Sequence, residues 1–187
     1  RYKALILKQK TFSDGISAAV QALLTSPNFL YRSEVGELQG DGNYRLSSYE
    51  VASALSYLLW GSMPDEELFA AAARGDLSSG TAIREQAQRL LKSPRSQKVI
   101  GAFGLAYLGA EDILTNNKST ILYPEFSATL RSAMADETQR LFSHVAFDGS
   151  GRFEELFTAD YSFLNAELAR LYGVGGVVAG ELSKQSY

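Results

Sequence analysis

The chain has 187 residues, of which 45% are hydrophobic and 21% are charged, a composition typical of a globular protein with a packed core. A formal net charge of −3 without a basic patch argues against nucleic-acid binding, and the lack of any run of 18 apolar residues predicts no membrane span. The absence of cysteine excludes disulfide bonds, zinc–thiolate sites, iron–sulfur clusters and covalently attached c-type haem from this chain.

The first third of the chain predicts helices separated by one polar loop. A first helix is indicated by apolar residues at helical spacing, namely Phe12, Ile16, Val20, Leu23 and Leu24. Ser26-Pro27 is a typical helix start, because serine caps well and proline tolerates the first helical position. The glycine-rich stretch 36–46 predicts a loop. Ser47 and Glu50 form a capping box, which predicts that a further helix begins there.

The middle of the chain continues with short capped helices. The face of the helix after Ser47 consists of Val51, Ala54, Leu55, Leu58 and Leu59. Gly61 ends that helix, and Asp65 begins the next one, which Gly75 closes. Ser93-Pro94 repeats the cap-and-proline start for a helix that ends at Gly109.

The last third predicts a connector, one long helix and one short helix. Residues 110–125 form the connector, the long helix covers about 126–147, and Asn165 caps a final helix that Gly173 stops. No stretch alternates between apolar and polar residues with a period of two. We therefore predict an all-α fold, an irregular multi-helix bundle of about six to eight helices with short capped loops.

Glu137 is the unusual residue of the long helix, because it falls on the apolar face near Leu130 and Leu141. A desolvated carboxylate needs a cation, a proton or hydrogen-bond donors. Arg140 and His144 lie one and two turns further along and share its flank. Two interpretations stay open. Glu137 either orients packing through an ion pair with another helix or acts with His144 as a catalytic acid–base pair; the candidate ion-pair partners are Arg95, Arg152 and Arg170.

His144, the single histidine, fits a general base, a metal ligand or a surface residue. Carboxylate helical bundles bind metals through Glu-x-x-His motifs on paired helices, whereas Glu137 and His144 are seven residues apart and the pattern is not repeated. We predict no metal site and no cofactor within this chain.

Two further clusters are candidate binding residues. Trp60 and Asp65 flank a helix–helix corner, where the indole either fills the corner or stacks on a sugar or a partner chain. Asp160 and Tyr161 precede the last helix and form the second cluster, and Arg140 completes the set of candidate binding residues. Core packing is the simpler explanation for both aromatic residues.

Several motifs in order resemble one bacterial family. The quoted segments are SPNFLYRSE, LSSYEVASALSYLLWGSMPDEEL, LLKSPRS, YPEF with LRSAMADETQRLF, and ADYSFLNAELARLYG. In order and wording they resemble the domain of unknown function 1592, and the residues before SPNFLYR resemble the end of its usual neighbour, the domain of unknown function 1595. The family usually has histidine before the Tyr-Gly pair, where this chain has Leu171, and this difference argues against histidine-based chemistry.

The resemblance implies a planctomycete-type, exported protein of several domains, often with a c-type cytochrome domain. It therefore implies a periplasmic or otherwise extracytoplasmic location, with haem on a neighbouring domain rather than in this chain. A chain that begins RYKALILKQK and ends GELSKQSY is expected to be a fragment of such a protein. We predict the end of a preceding domain at 1–35, packed on the main one, a helical domain at 36–173 and a linker to a following domain at 174–187.

Two function classes follow. The first is a helical scaffold or interaction module that contacts neighbouring domains of the same polypeptide, with a redox protein as a further partner. The second is a domain of an extracytoplasmic enzyme, either an oxidoreductase or an enzyme acting on polysaccharide, in which Glu137 serves as acid or base. Neither class includes a nucleic-acid partner or a membrane span.

Overall fold

The computed structural model describes residues 2–7, 11–176 and 180–186. Its fold is mostly helical, as the sequence predicts. The helices are α1 Tyr2–Leu7, α2 Phe12–Leu24, α3 Pro27–Leu30, α4 Ser48–Trp60, α5 Glu66–Ala73, α6 Gly80–Leu91, α7 Pro94–Tyr107, α8 Ala128–Phe147, α9 Glu155–Thr158 and α10 Ala166–Tyr172. Short 3-10 helices occupy Asp76–Ser78 and Glu111–Leu114. The strands are β1 Glu37–Leu38, β2 Tyr44–Arg45, β3 Tyr161–Leu164 and β4 Ser183–Ser186.

The chain divides into two compact units. The first consists of Arg1–Tyr57 and Met63–Glu85, and the second of Leu58–Ser62 and Gln86–Tyr187. The division at residues 35 and 173 that the sequence suggests stays a prediction. No helix within the described residues is both long and apolar enough to cross a membrane.

In the first unit, the predicted capping box joins the start of α4 to the preceding loop. The Glu50 carboxylate accepts hydrogen bonds from the backbone and hydroxyl of Ser47, both at 2.8 Å, and from the backbone N–H groups of Val35 and Gly36. These donors, Ser47 first, hold the pKa of Glu50 at about 2, below its ordinary 4.5. The stretch predicted to be only a loop also contains the antiparallel hairpin of β1 and β2.

The apolar stripe of α2 is an exposed surface of the first unit. All five of its predicted members are exposed in the whole chain: Phe12, Ile16, Val20, Leu23 and Leu24. The buried apolar side chains of this unit lie further along, on α4, on α5 and beyond it, namely Ala52, Leu68, Ala71, Ala72 and Leu77. Helical periodicity thus correctly predicted that these five residues share one face of a helix. In the structure that face is exposed to solvent.

The second unit is built on α8, the longest helix. Ser127 caps its first turn by accepting the Leu130 N–H, so the helix begins within two residues of the predicted position. Along α7, Gly101 and Gly104 let α8 approach closely at Gln139 and Phe142. A second contact of α8 is the buried cluster of Leu130, Ala133, Leu164, Leu168 and Ala169, which joins it to β3 and α10.

A strand pair against α8 is the main feature that the sequence pattern did not predict. β3 and β4 are antiparallel, with Tyr161 opposite Ser186 and Leu164 opposite Ser183. All four residues of β3 are buried, so the strand shows no alternation of polar and apolar side chains. Residues 183–186 lie within the predicted linker 174–187 and form strand β4, while the linker itself stays a prediction.

Candidate functional site

The candidate residues of the long helix meet strand β3. Glu137, Arg140 and His144 lie on successive turns of α8, and β3 supplies side chains opposite all three. Tyr161 and Ser162 occupy consecutive strand positions, and their side chains therefore point to opposite faces of the strand. The Ser162 side chain therefore contacts Glu137, and the Tyr161 ring contacts His144.

Glu137 is half-buried, and each oxygen of its carboxylate accepts a hydrogen bond from a hydroxyl group. Ser162 Oγ donates to Oε1 at 2.5 Å, and Tyr172 Oη donates to Oε2 at 2.8 Å. Ser162 is buried in β3, whereas Tyr172 is an exposed residue at the end of α10. Among the described residues, two hydroxyl groups thus take the place of the arginine partner that the packing interpretation expected. The carboxylate connects α8, β3 and α10, and no cation in the described part of the chain forms an ion pair with it.

A small cavity of about 230 Å³ lies beside Glu137 and Ser162. Most of its wall is apolar, and the residues that line it are Leu108, Glu137, Thr138, Leu141, Phe142, Leu156, Phe157 and Ser162. Glu137 is thus the ionisable side chain on a mainly hydrocarbon wall. A carboxylate in such surroundings interacts more strongly with a cation than a carboxylate in open water does.

His144 faces a different cavity, of about 260 Å³, which Arg140 and Asp148 also line. Lys184 Nζ lies 3.1 Å from His144 Nε2, and Asp148 Oδ2 lies 3.6 Å from His144 Nδ1. An ammonium group can only donate, so this geometry gives the lone pair to Nε2 and the hydrogen to Nδ1. The imidazole also packs edge-on against the rings of Tyr161 and Phe163.

The two proposed catalytic residues line different cavities. Glu137 lines the apolar cavity, and His144 lines the polar one with Arg140, whose guanidinium lies 5.7 Å from the centre of the Phe163 ring. The structure brings His144 and Tyr161 together, as the ring contact shows. The assignment of Glu137 and His144 as an acid–base pair, which requires both groups to reach one substrate, stays a prediction.

Tyr161 is tied to Glu155 in a small polar cluster. Its hydroxyl donates to Glu155 Oε1 at 2.5 Å, and Ser150 donates its backbone N–H to the other carboxylate oxygen at 2.8 Å. The Ser150 hydroxyl, followed by the Tyr161 hydroxyl, holds the pKa of Glu155 at about 2. Burial, followed by the bond to Glu155, raises the pKa of Tyr161 to about 12.

The remaining candidate binding residues lie at the ends of secondary-structure elements. Trp60 donates its indole N–H to the Leu90 carbonyl at 2.9 Å, and the Arg95 guanidinium lies 4.9 Å from the centre of its ring. Asp65, in the first unit, caps α5 by accepting the Leu68 N–H. Asp160 is exposed immediately before β3.

Sequence reasoning missed the residues that complete both clusters, Ser162, Tyr172, Glu155 and Lys184. Ser162 and Tyr172 are 25 and 35 residues from Glu137, and no local spacing links them to it. A search for hydroxyl side chains flanking the capped helix at Asn165 would have found both. Within residues 2–7, 11–176 and 180–186, no group of three or more His, Cys, Asp or Glu side chains is placed to hold a metal ion.

Comparison with known proteins gives one match. The model of a family described as PSD4, "Protein of unknown function (DUF1592)", matches residues 46–174. That range includes α8, β3 and α10, and so every partner of Glu137 described above. No curated protein and no solved structure matches the chain significantly.

Proposed function

We propose, from the premise that this chain belongs to the DUF1592 family, that it is a helical scaffold and interaction module of a larger exported protein. Its partners are neighbouring domains of the same polypeptide. One observation carries the proposal, an exposed row of four aromatic rings on the second unit. We call it the aromatic row; its members are Phe103, Tyr107, Phe153 and Phe157.

The aromatic row is continuous and accessible. Successive ring centres are 5.8 Å apart for Phe103 and Tyr107, 5.6 Å for Tyr107 and Phe153, and 5.4 Å for Phe153 and Phe157. Each of the four side chains is more than half exposed. Contiguous exposed apolar patches of this kind mark sites of interaction with other proteins. Aromatic residues are also enriched at protein–protein interfaces. The exposed stripe of α2 is a second surface of the same character, on the first unit.

The hydrogen bonds of Glu137 support the scaffold role over the enzyme role. Each oxygen of Glu137 accepts a hydrogen bond from a hydroxyl group on another element of the same unit, so the carboxylate links α8, β3 and α10 as a residue that orients packing would. An enzyme domain with Glu137 as acid or base is the weaker alternative, supported by the cavity beside this side chain.

The exported location and the haem of a neighbouring domain also belong to the proposal, because they rest on the family resemblance. The full-length gene product should carry an export signal and a C-x-x-C-H motif outside this chain. Sequencing the gene and staining the purified protein for covalent haem tests both. A full-length product without either feature would contradict this part of the proposal and leave the interaction role standing.

The interaction role is tested by hydrogen exchange in the full-length protein. We expect amides at the end of α7 and in α9 to exchange more slowly in the full-length protein than in the 187-residue chain alone. Phe153→Ser with Phe157→Ser should remove that additional protection. Ile121→Ser is the matched control, because it removes an exposed apolar side chain outside the aromatic row. Equal exchange of these amides in both proteins would contradict the proposal.

A further inference from the structure

We infer that the cavity beside Glu137 is a binding site for a lysine side chain of a partner polypeptide, whose flanking apolar residues lie on the aromatic row. This inference rests on the proposed interaction function and names the chemistry of the partner. Three observations carry it: the charge of Glu137, the apolar wall of the cavity, and the continuity of that cavity with the aromatic row.

The charge of Glu137 selects for a cation. Its carboxylate is half-buried, and its hydrogen-bond partners among the described residues are the neutral hydroxyls of Ser162 and Tyr172. The two basic side chains that follow on α8 have other neighbours. Arg140 lies over Phe163, and His144 contacts Lys184 and Asp148. An ionised group in apolar surroundings is stabilised by an opposite charge, which a ligand can provide here.

The size and lining of the cavity favour one side chain over a whole cofactor. Its volume of about 230 Å³ is below the range of roughly 300 to 1,000 Å³ that is usual for small-molecule pockets. The walls of Leu141, Leu156 and Phe157 suit a hydrocarbon stem, and Glu137 suits a terminal charge. Lysine joins a four-carbon stem to a compact ammonium group.

Lysine fits better than arginine for a geometric reason. A guanidinium binds a carboxylate best as a fork that occupies both oxygens at once. Ser162 and Tyr172 already donate to one oxygen each, so a fork would need the remaining lone pair of both oxygens at once. An ammonium group needs only one remaining lone pair and can approach either oxygen.

The aromatic row identifies the partner as a polypeptide rather than a free amine. Phe157 belongs both to the cavity wall and to the aromatic row, so the two surfaces are continuous. Leu108, another wall residue, directly follows Tyr107 of the row in sequence and is half-exposed. A segment with one lysine flanked by apolar residues would place the charge in the cavity and the apolar side chains against the rings.

The first test measures binding of a lysine side-chain mimic. We expect n-butylammonium to shift the NMR signals of Leu141 and Leu156 methyl groups, and to bind about tenfold more tightly than 1-butanol. Glu137→Gln should remove this preference for the charged probe. Leu108→Lys, which supplies an ammonium group from the chain itself, should lower butylammonium affinity about tenfold, whereas Ile121→Lys, which adds the same charge at an exposed residue outside the cavity wall, should leave it unchanged. Equal binding of both probes to the unaltered chain, or equal charge preference in Glu137→Gln, would overturn the inference.

The second test distinguishes a polypeptide partner from a free amine. We expect the peptide acetyl-Leu-Lys-Leu-Phe-amide to bind more tightly than butylammonium, and its norleucine analogue to bind about tenfold more weakly. Phe153→Ser with Phe157→Ser should weaken peptide binding. Butylammonium binding without any gain for the peptide would overturn the assignment to a polypeptide. Hydrogen-exchange protection of the aromatic row with no binding of either probe would overturn the lysine site alone and leave the interaction function intact.

Discussion

The Tyr161 hydroxyl donates a hydrogen bond to the Glu155 carboxylate, with 2.5 Å between Tyr161 Oη and Glu155 Oε1. This bond favours the ionised form of Glu155 and the neutral form of Tyr161. It is therefore fully formed only at pH values at which Glu155 is ionised and Tyr161 is neutral. The fold lowers the pKa of Glu155 to about 2 and raises that of Tyr161 to about 12, from ordinary values of 4.5 and 10.0.

We expect these two shifts to set opposite limits on stability. Glu155 stabilises the fold above pH 4.5, and this contribution falls as the pH drops from about 4.5 to about 2. Tyr161 stabilises it below pH 10, and this contribution falls as the pH rises from about 10 to about 12. Tyr161→Phe should remove the loss of stability at alkaline pH. It should leave a smaller loss of stability at acid pH, because Ser150 still donates to Glu155.

Urea unfolding between pH 2 and pH 12 measures both effects. Tyr44→Phe is the control, since it removes an exposed tyrosine of the β1–β2 hairpin. An unchanged alkaline limb in Tyr161→Phe would show that ionisation of Tyr161 does not limit stability at high pH.

Glu137 connects three elements through hydroxyl groups, and the two donors should differ in their effect on stability. Ser162→Ala leaves a half-buried carboxylate oxygen without its donor and should lower the free energy of unfolding by about 1.5 to 3 kcal/mol. Tyr172→Phe should cost less than about 1 kcal/mol, because Tyr172 is exposed and water can replace it.

A double-mutant cycle of Ser162→Ala with Glu137→Gln checks this interpretation. The two changes should be non-additive by about 0.5 kcal/mol or more, since they remove the same charged hydrogen bond. Ser132→Ala, on the exposed side of α8, should change stability by about 0.5 kcal/mol or less. Additive effects of Ser162→Ala and Glu137→Gln would mean that the bond contributes little.

The capping box at Ser47 and Glu50 gives a separate prediction for the first unit. Ser47→Ala should lower the free energy of unfolding by about 1 kcal/mol through loss of the cap. Glu50→Ala should in addition speed amide exchange at Val35 and Gly36, because both N–H groups donate to Glu50 Oε1. Glu34→Ala, next to this segment but without those bonds, is the control. Unchanged exchange at Val35 and Gly36 in Glu50→Ala would contradict the prediction.

The features predicted correctly from sequence are those with local causes. Ser47 with Glu50, Ser93 with Pro94, and Asn165 each act within three residues, and each begins a helix in the structure. Gly173 ends α10 in the left-handed conformation that favours glycine, with φ of 73°. The mostly helical fold follows from such signals, because they mark where each helix starts and stops.

The features missed from sequence depend on contacts between distant residues. β3 pairs with β4 across a sequence separation of 19 residues at Leu164 and Ser183, and its four residues are buried on both faces. Such a strand lacks the period of two that identifies half-buried strands. The helical position of Glu137 showed that its carboxylate needs a partner, but not that Ser162 on this strand would supply one. Packing, rather than periodicity, decides that choice.

The close approach of α7 to α8 provides a last prediction. A Cβ added to Gly104 would lie 2.6 Å from Cδ2 and 2.9 Å from Cβ of Phe142, atoms that cannot move without shifting the ring or the helix. Alanine is a better helix former than glycine by about 1 kcal/mol, but overpacking a core costs about 1 to 3 kcal/mol. We expect Gly104→Ala to destabilise the protein on balance.

Thermal and urea unfolding of three variants separate the steric effect from helix propensity. Gly80→Ala is the matched control, because the added Cβ meets no described atom within 4 Å apart from its chain neighbours and the backbone of its own helix, and it should be neutral or slightly stabilising. Phe142→Leu combined with Gly104→Ala should cost less than the sum of the two changes, since the smaller side chain relieves the clash. A Gly104→Ala variant as stable as Gly80→Ala would show that α7 and α8 are further apart than this contact implies.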